Sequence, residues 1–168
     1  MNKNEIQVGE FVSVSQRAQA LDCNIPSDLA ILPRNFETAA SKSELLHEIS
    51  TPTVRILWRQ ANLIESKLES DLESFSQISE HAEDWIGPII FLSYLALQEN
   101  PNLANLSIGV IANYISDLFR GISLPEQKIK LDIVCQNKDG SCKMVKYKGN
   151  VEGLKELPKI VKKVADVE

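Results

Sequence analysis

The chain has 168 residues, 43% of them hydrophobic, 24% charged and 6% aromatic, with a formal net charge of −5 and a pI near 5.2. That balance excludes a disordered chain, a collagen-like repeat and a disulfide scaffold, and the length suffices for a single domain, 1–168, with its own core. The charge is unevenly spread: residues 1–124 hold 8 Lys or Arg against 16 Asp or Glu, whereas residues 125–168 hold 10 Lys against 7 acids.

Residues 5–14, EIQVGEFVSV, alternate loosely and predict a strand or extended arm, after which Ser15 would cap a short helix. Residues 24–36 contain two prolines and no clear period, and are expected to be a packed irregular segment. Ser41 and Glu44 match a capping box ahead of a short helix in SELLHEIS, and Thr51-Pro52 starts a second helix. From Ile64 the residues Leu68, Leu72, Phe75, Ile78, Ala82 and Trp85 recur at three and four, which predicts an amphipathic helix with Glu65, Glu69 and Glu73 on its solvated side. An arm and helices over 1–84 would thus form the N-terminal part.

The stretch 85–122 is the most apolar. Gly87-Pro88 and Asn100-Pro101 each suit a helix start, so PIIFLSYLALQ and the segment to Arg120 predict a central apolar helical hairpin, with Gly121 as a C-cap. On its second helix Ile108, Ile111, Ile115, Leu118 and Phe119 are the expected core or oligomer interface. Residues 125–168 change character. KIKLDIVC and CKMVKYKG alternate around an NKDG turn, and Leu154, Leu157, Val161 and Val164 then share a helical face. This is a β-β-α unit that could recruit residues 5–14 as a third strand, with Cys135 opposite Cys142 if the loop is Asn137 to Gly140. The expected class is α+β: a mostly helical domain with a C-terminal β-hairpin plus helix.

Sites are scarce. No phosphate-binding glycine loop, nucleophile elbow or His-Glu-x-x-His motif is present, and the histidines are His47 and His81. His81 and Asp84 share a face but do not make a four-ligand metal site. Cys23 sits beside Asp22, which disfavours a thiolate nucleophile. No catalytic residue, cofactor or small-molecule substrate is therefore expected. The C-terminal lysines lack arginine and stacking aromatics, which makes a guard of exposed strand edges a better reading than nucleic-acid binding. Arg120, Lys143 and Lys146 are the candidate partner surface. Three cysteines without a C-x-x-C pair, and an N-terminus without an apolar leader, suggest a cytoplasmic protein.

The order of apolar helices (IGPIIFLSYLALQENPNLANLSIGVIANYISDLFRGI), hairpin (KIKLDIVCQNKDGSCKMVKYKG) and helix (VEGLKELPKIVKKV) resembles that of small effector-associated accessory proteins of bacterial conflict systems, over roughly residues 85–166. The resemblance implies an adaptor or regulatory subunit of a prokaryotic assembly, and it assigns no site residue. The expected function is non-catalytic protein–protein interaction, with a protein partner or a second copy. The alternative is a membrane-associated effector acting through the apolar segment 88–122, which Asn105, Asn113, Asp117 and Arg120 would burden as a span.

Overall fold

The computed structural model describes residues 4–79, 84–120 and 128–166. Eight strands and six helices follow in the order β1 (Glu5–Phe11), α1 (Val14–Ala20), β2 (Leu29–Leu32), β3 (Leu46–Glu48), α2 (Thr51–Gln60), β4 (Ser76–Ile78), β5 (Trp85–Ile86), β6 (Ile89–Leu92), α3 (Tyr94–Glu99), α4 (Leu103–Phe119), β7 (Ile129–Gln136), β8 (Cys142–Gly149), α5 (Val151–Leu154) and α6 (Leu157–Val164). The main sheet runs β1-β8-β7-β6-β2, with β5 also beside β7, and β3 and β4 form a separate parallel pair.

This corrects the expectation of a mostly helical chain: helix is about 36% and strand about 26% of the described residues, built on a six-stranded mixed sheet. The apolar helical hairpin is corrected with it. Residues 89–92, IIFL, form a strand between β2 and β7, antiparallel to the first and parallel to the second. Ile90 and Leu92 pack on one face, Ile89 and Phe91 on the other. A strand buried on both faces needs an unbroken apolar run, which periodicity alone does not tell from a buried helix. The parallel β6–β7 pair requires a crossover, and α3 and α4 supply it. Gly87 marks the break between β5 and β6; a Cβ there would come within 2.6 Å of the Leu131 side chain.

The sheet separates two apolar clusters. On one face Val54 and Trp58 of α2, Leu97 of α3, Ile108, Ile111 and Ile115 of α4, and Leu154, Leu157 and Val161 of the last two helices cover Leu131, Ile133, Val145 and Tyr147. Trp58 Nε1–H donates to the Ser107 carbonyl at 3.0 Å, pinning α2 to α4. The other face is covered by α1 and by irregular chain carrying Phe36, Leu45 and Leu68. Arg17 of α1 ties that chain down by donating to the carbonyls of Phe36 and Ala39.

Several local expectations hold. The hairpin forms, β1 joins it antiparallel as a third strand, and α2 starts at Thr51-Pro52. Others change. The segment 24–36 contains β2, and SELLHEIS is a single 3-10 turn followed by β3. Ser13 rather than Ser15 caps α1, accepting from the Gln16 amide. Ser41 caps nothing with its side chain, although Glu44 accepts from the Ala40 amide. The helix expected from Ile64 to Trp85 is absent among the described residues; they run irregularly into β4 and β5. Two of its supposed core residues face water, Ile64 at 85% and Leu72 at 100% exposure. The hairpin loop is one residue longer than expected, with Gly140 at φ +89° and the Asn137 amide donating to the Ser141 carbonyl. Cys142 therefore faces Gln136, and Cys135 faces Lys143. A one-residue shift reverses the face, so the two thiols lie in opposite clusters and all three cysteines are free.

Candidate functional site

Two features remain after the core is accounted for: a buried charge network beside β3 and the outer strand of the main sheet. The network begins with His47, which β3 holds 3% exposed. His47 Nε2 lies 3.0 Å from Glu69 Oε2, and Glu69 is itself 5% exposed. Arg55, on α2, closes the chain of charge. Its Nη2 donates to Glu69 Oε1 at 3.0 Å, and its Nε forks onto both oxygens of Glu65 at 2.9 and 3.0 Å. Burial alone would raise the Glu69 pKa, but the hydrogen bond from His47 and the charges of His47 and Arg55 outweigh it and hold it at about 2. An ionised carboxylate only accepts, so His47 Nε2 carries the hydrogen.

Nδ1 of the same ring is buried with no partner among the described residues, and so is the Thr51 hydroxyl at the start of α2. Both residues line a cavity of about 250 Å³ whose wall includes Arg55, Glu69 and Phe75. The Phe75 ring stands 5.1 Å from the imidazole at 43°. This arrangement replaces the solvated glutamate row expected from sequence: Glu65 and Glu69 neutralise Arg55, while Glu73 pairs with Lys42 at 2.8 Å. A second buried carboxylate, Glu48, lies 3.2 Å from Arg34, which also reaches Asp132 of β7 at 3.7 Å and so ties the small sheet to the large one.

The outer strand differs in kind. Glu5 to Glu10 are exposed on both faces of β1, and Ile6 and Val8 are 39% and 51% exposed. They lie opposite Tyr147 and Val145 of β8, so they continue the helix-covered apolar face past the last helix. β8 pairs with one side of β1, and β1 ends the strand order on the other side. Glu10 lies opposite Lys143 and Glu5 opposite Lys148, so part of the C-terminal basic charge meets acid of the same chain.

The sequence-predicted residues distribute as follows. Ile108, Ile111 and Ile115 are interior, Phe119 is half-buried, and Leu118 is 44% exposed. Arg120 is exposed and pairs with Asp117 of its own helix at 3.1 Å. Lys143 and Lys146 project from opposite faces of β8, so they do not share one surface. Nor do they guard an edge: β8 is internal, and the true edge, β1, carries no lysine. Burial pushes the Cys23 thiol up, against a nucleophilic role, and pushes Cys135 up to about 12. Among the described residues no group of three His, Cys, Asp or Glu could hold a metal; His81 and Gly121 lie outside them. No described helix is long and apolar enough to cross a membrane. The His47–Glu69 pair was invisible in the sequence, because the partners are 22 residues apart in a stretch that reads as a solvated helix. No family model, curated protein or solved structure matches this chain.

Proposed function

We propose that this chain is a non-catalytic protein-interaction subunit of the cytoplasm that lends its β1 edge to a strand of another chain, a second copy being the partner. The observation that carries the reading is an edge strand exposed on both faces with two uncovered apolar side chains, Ile6 and Val8. Natural sheets blunt such edges with charged side chains, lysine above all, with proline, bulges or a covering segment; among the described residues β1 has only Glu5 and Glu10, near its ends, and no lysine, proline, bulge or cover between them. Strand addition satisfies the outward backbone groups and adds side-chain contacts on alternate residues.

The sequence of β1 suits a copy of itself. An antiparallel register centred on Val8 places Val8 opposite Val8, Ile6 opposite Glu10 and Glu5 opposite Phe11. No like charges then stand directly opposite, and the four Ile6 and Val8 side chains gather on one face. Such an interface is small and belongs with weak, transient associations. Three free, buried cysteines accord with a reducing compartment. The adaptor role implied by the bacterial conflict-system resemblance is compatible with this reading. The helix pair that formed part of that likeness is, however, a strand followed by two helices.

Light scattering across a concentration series tests the proposal. The wild type is expected to move towards twice its 18.8 kDa mass as concentration rises, and Val8→Lys to stay at the single-chain mass with unchanged circular dichroism. A wild type that remains at the single-chain mass up to about 1 mM overturns the self-pairing.

A further inference from the structure

We propose that the cavity above the His47–Glu69–Arg55 network is a binding site for a small neutral polyhydroxyl compound of about monosaccharide size. The ionic groups in its wall already satisfy one another: Arg55 is held by Glu65 and Glu69, and Glu73 by Lys42. The exposed Lys67 and Asp71, also on the wall, carry opposite charges. Counting Lys42 and Glu65 with the wall, three cations and four carboxylates leave one negative charge beside a neutral His47 ring and none beside a charged one, so nothing here selects an anion.

What is left are two neutral polar atoms. His47 Nδ1 and Thr51 Oγ1 are buried and have no partner among the described residues, and both belong to residues that line the cavity and are 3% and 1% exposed. Buried polar groups without partners are rare and call for an explanation. Nε2–H is committed to Glu69, so Nδ1 accepts when the ring is neutral and donates when it is charged, whereas a threonine hydroxyl both donates and accepts. Hydroxyl groups answer these needs, since each can donate to or accept from the imidazole and exchange a hydrogen bond with Thr51. The half-buried Phe75 ring, beside the imidazole, offers a flat apolar surface for the C–H face of a sugar. A volume near 250 Å³ lies below the usual range for drug-sized ligands and limits the occupant to one ring.

The test is a two-dimensional NMR titration of the full chain with D-glucose, D-galactose and myo-inositol, and with phosphate and glutamate as charged comparisons. The expected result is saturable shifts confined to His47, Thr51, Phe75 and their neighbours with at least one neutral polyol, and none with the charged compounds. Thr51→Val, which keeps the side-chain shape, is expected to weaken binding at least tenfold, and Thr51→Ser to retain it. Should Thr51→Val fail to fold, a Thr51→Ser variant with the wild-type affinity still supports the site. Absence of saturable shifts up to about 50 mM polyol overturns the proposal. So does a crystal structure in which one enclosed water satisfies both atoms while soaked polyol stays out, and so does selective binding of the charged compounds.

Discussion

The two edges of the main sheet are finished in opposite ways. β2, at one end of the strand order, is buried at all four residues. The irregular chain after α2 lies along it: Leu29 bridges to Glu65, and the Ser66 amide donates to the Leu29 carbonyl at 2.6 Å. The Ser27 amide is received by Ser66 Oγ, and the Asn24 amide by the Leu68 carbonyl. That covering segment is itself fastened through Glu65 and Glu69 to Arg55. β1, at the other end, has no such cover among the described residues and is exposed through Glu10. The same polypeptide therefore closes one edge with a segment anchored by ion pairs and leaves the other open, so the closed edge contributes stability and the open one is available to another chain.

Substitutions should separate the two. The largest effect is expected at the closed edge, where Ile31→Ala removes a fully buried side chain and should cost about 4 kcal/mol, against less than about 1 kcal/mol for Val8→Ala; urea unfolding measures both. Next is the fastening of the cover. Glu69 has a folded pKa near 2, below its unfolded value of about 4.3, so its contribution is complete above that value and is lost as pH falls through 2. The contribution is about 3 kcal/mol, and Glu69→Gln should remove a comparable amount at pH 7 and flatten the acid limb of the stability–pH curve. Glu73, also held at about 2 chiefly by its hydrogen bond with Lys42, adds to that limb in both proteins, so the difference between them isolates Glu69.

A smaller effect is expected where β1 is attached. The Asn150 amide donates to Asn4 Oδ1 at 3.0 Å, and the Tyr147 hydroxyl donates to the Asn150 carbonyl at 2.5 Å. A Cβ on Gly149 would collide with both Asn4 and Tyr147, so Gly149→Ala should cost about 2 kcal/mol by thermal denaturation and loosen the start of β1. The smallest effect is none: Cys135 and Cys142 are in opposite clusters, so adding reductant should leave the melting temperature unchanged.

The parts of this fold that read correctly from the sequence are those with two concurrent signals. In the C-terminal unit, alternation and a glycine-containing turn agree, and in α4 a stripe of isoleucines follows Asn100-Pro101. Misreadings came where one signal stood alone. IIFL is apolar throughout and fits a helix or a doubly buried strand equally, and its neighbours in the sheet decide. Ile64, Leu68 and Leu72 keep a helical spacing, yet only Leu68 is buried, because Glu65 and Glu69 are drawn inward to Arg55 and His47. The small sheet that presents His47 is equally hidden, since its three-residue strands are too short to show a period. Of the candidate site, the apolar alternation of β1 was readable, but its exposure on both faces was not, being a property of how far the helices extend over the sheet.

The contrast between the edges is tested most directly by amide hydrogen exchange, followed residue by residue at two protein concentrations about a hundredfold apart. Protection of Leu29 to Leu32 is expected to be the same at both concentrations, whereas the amides of β1 not engaged by β8 exchange freely when dilute and become protected when concentrated. Free exchange of those β1 amides at both concentrations would contradict an edge that pairs with a second copy.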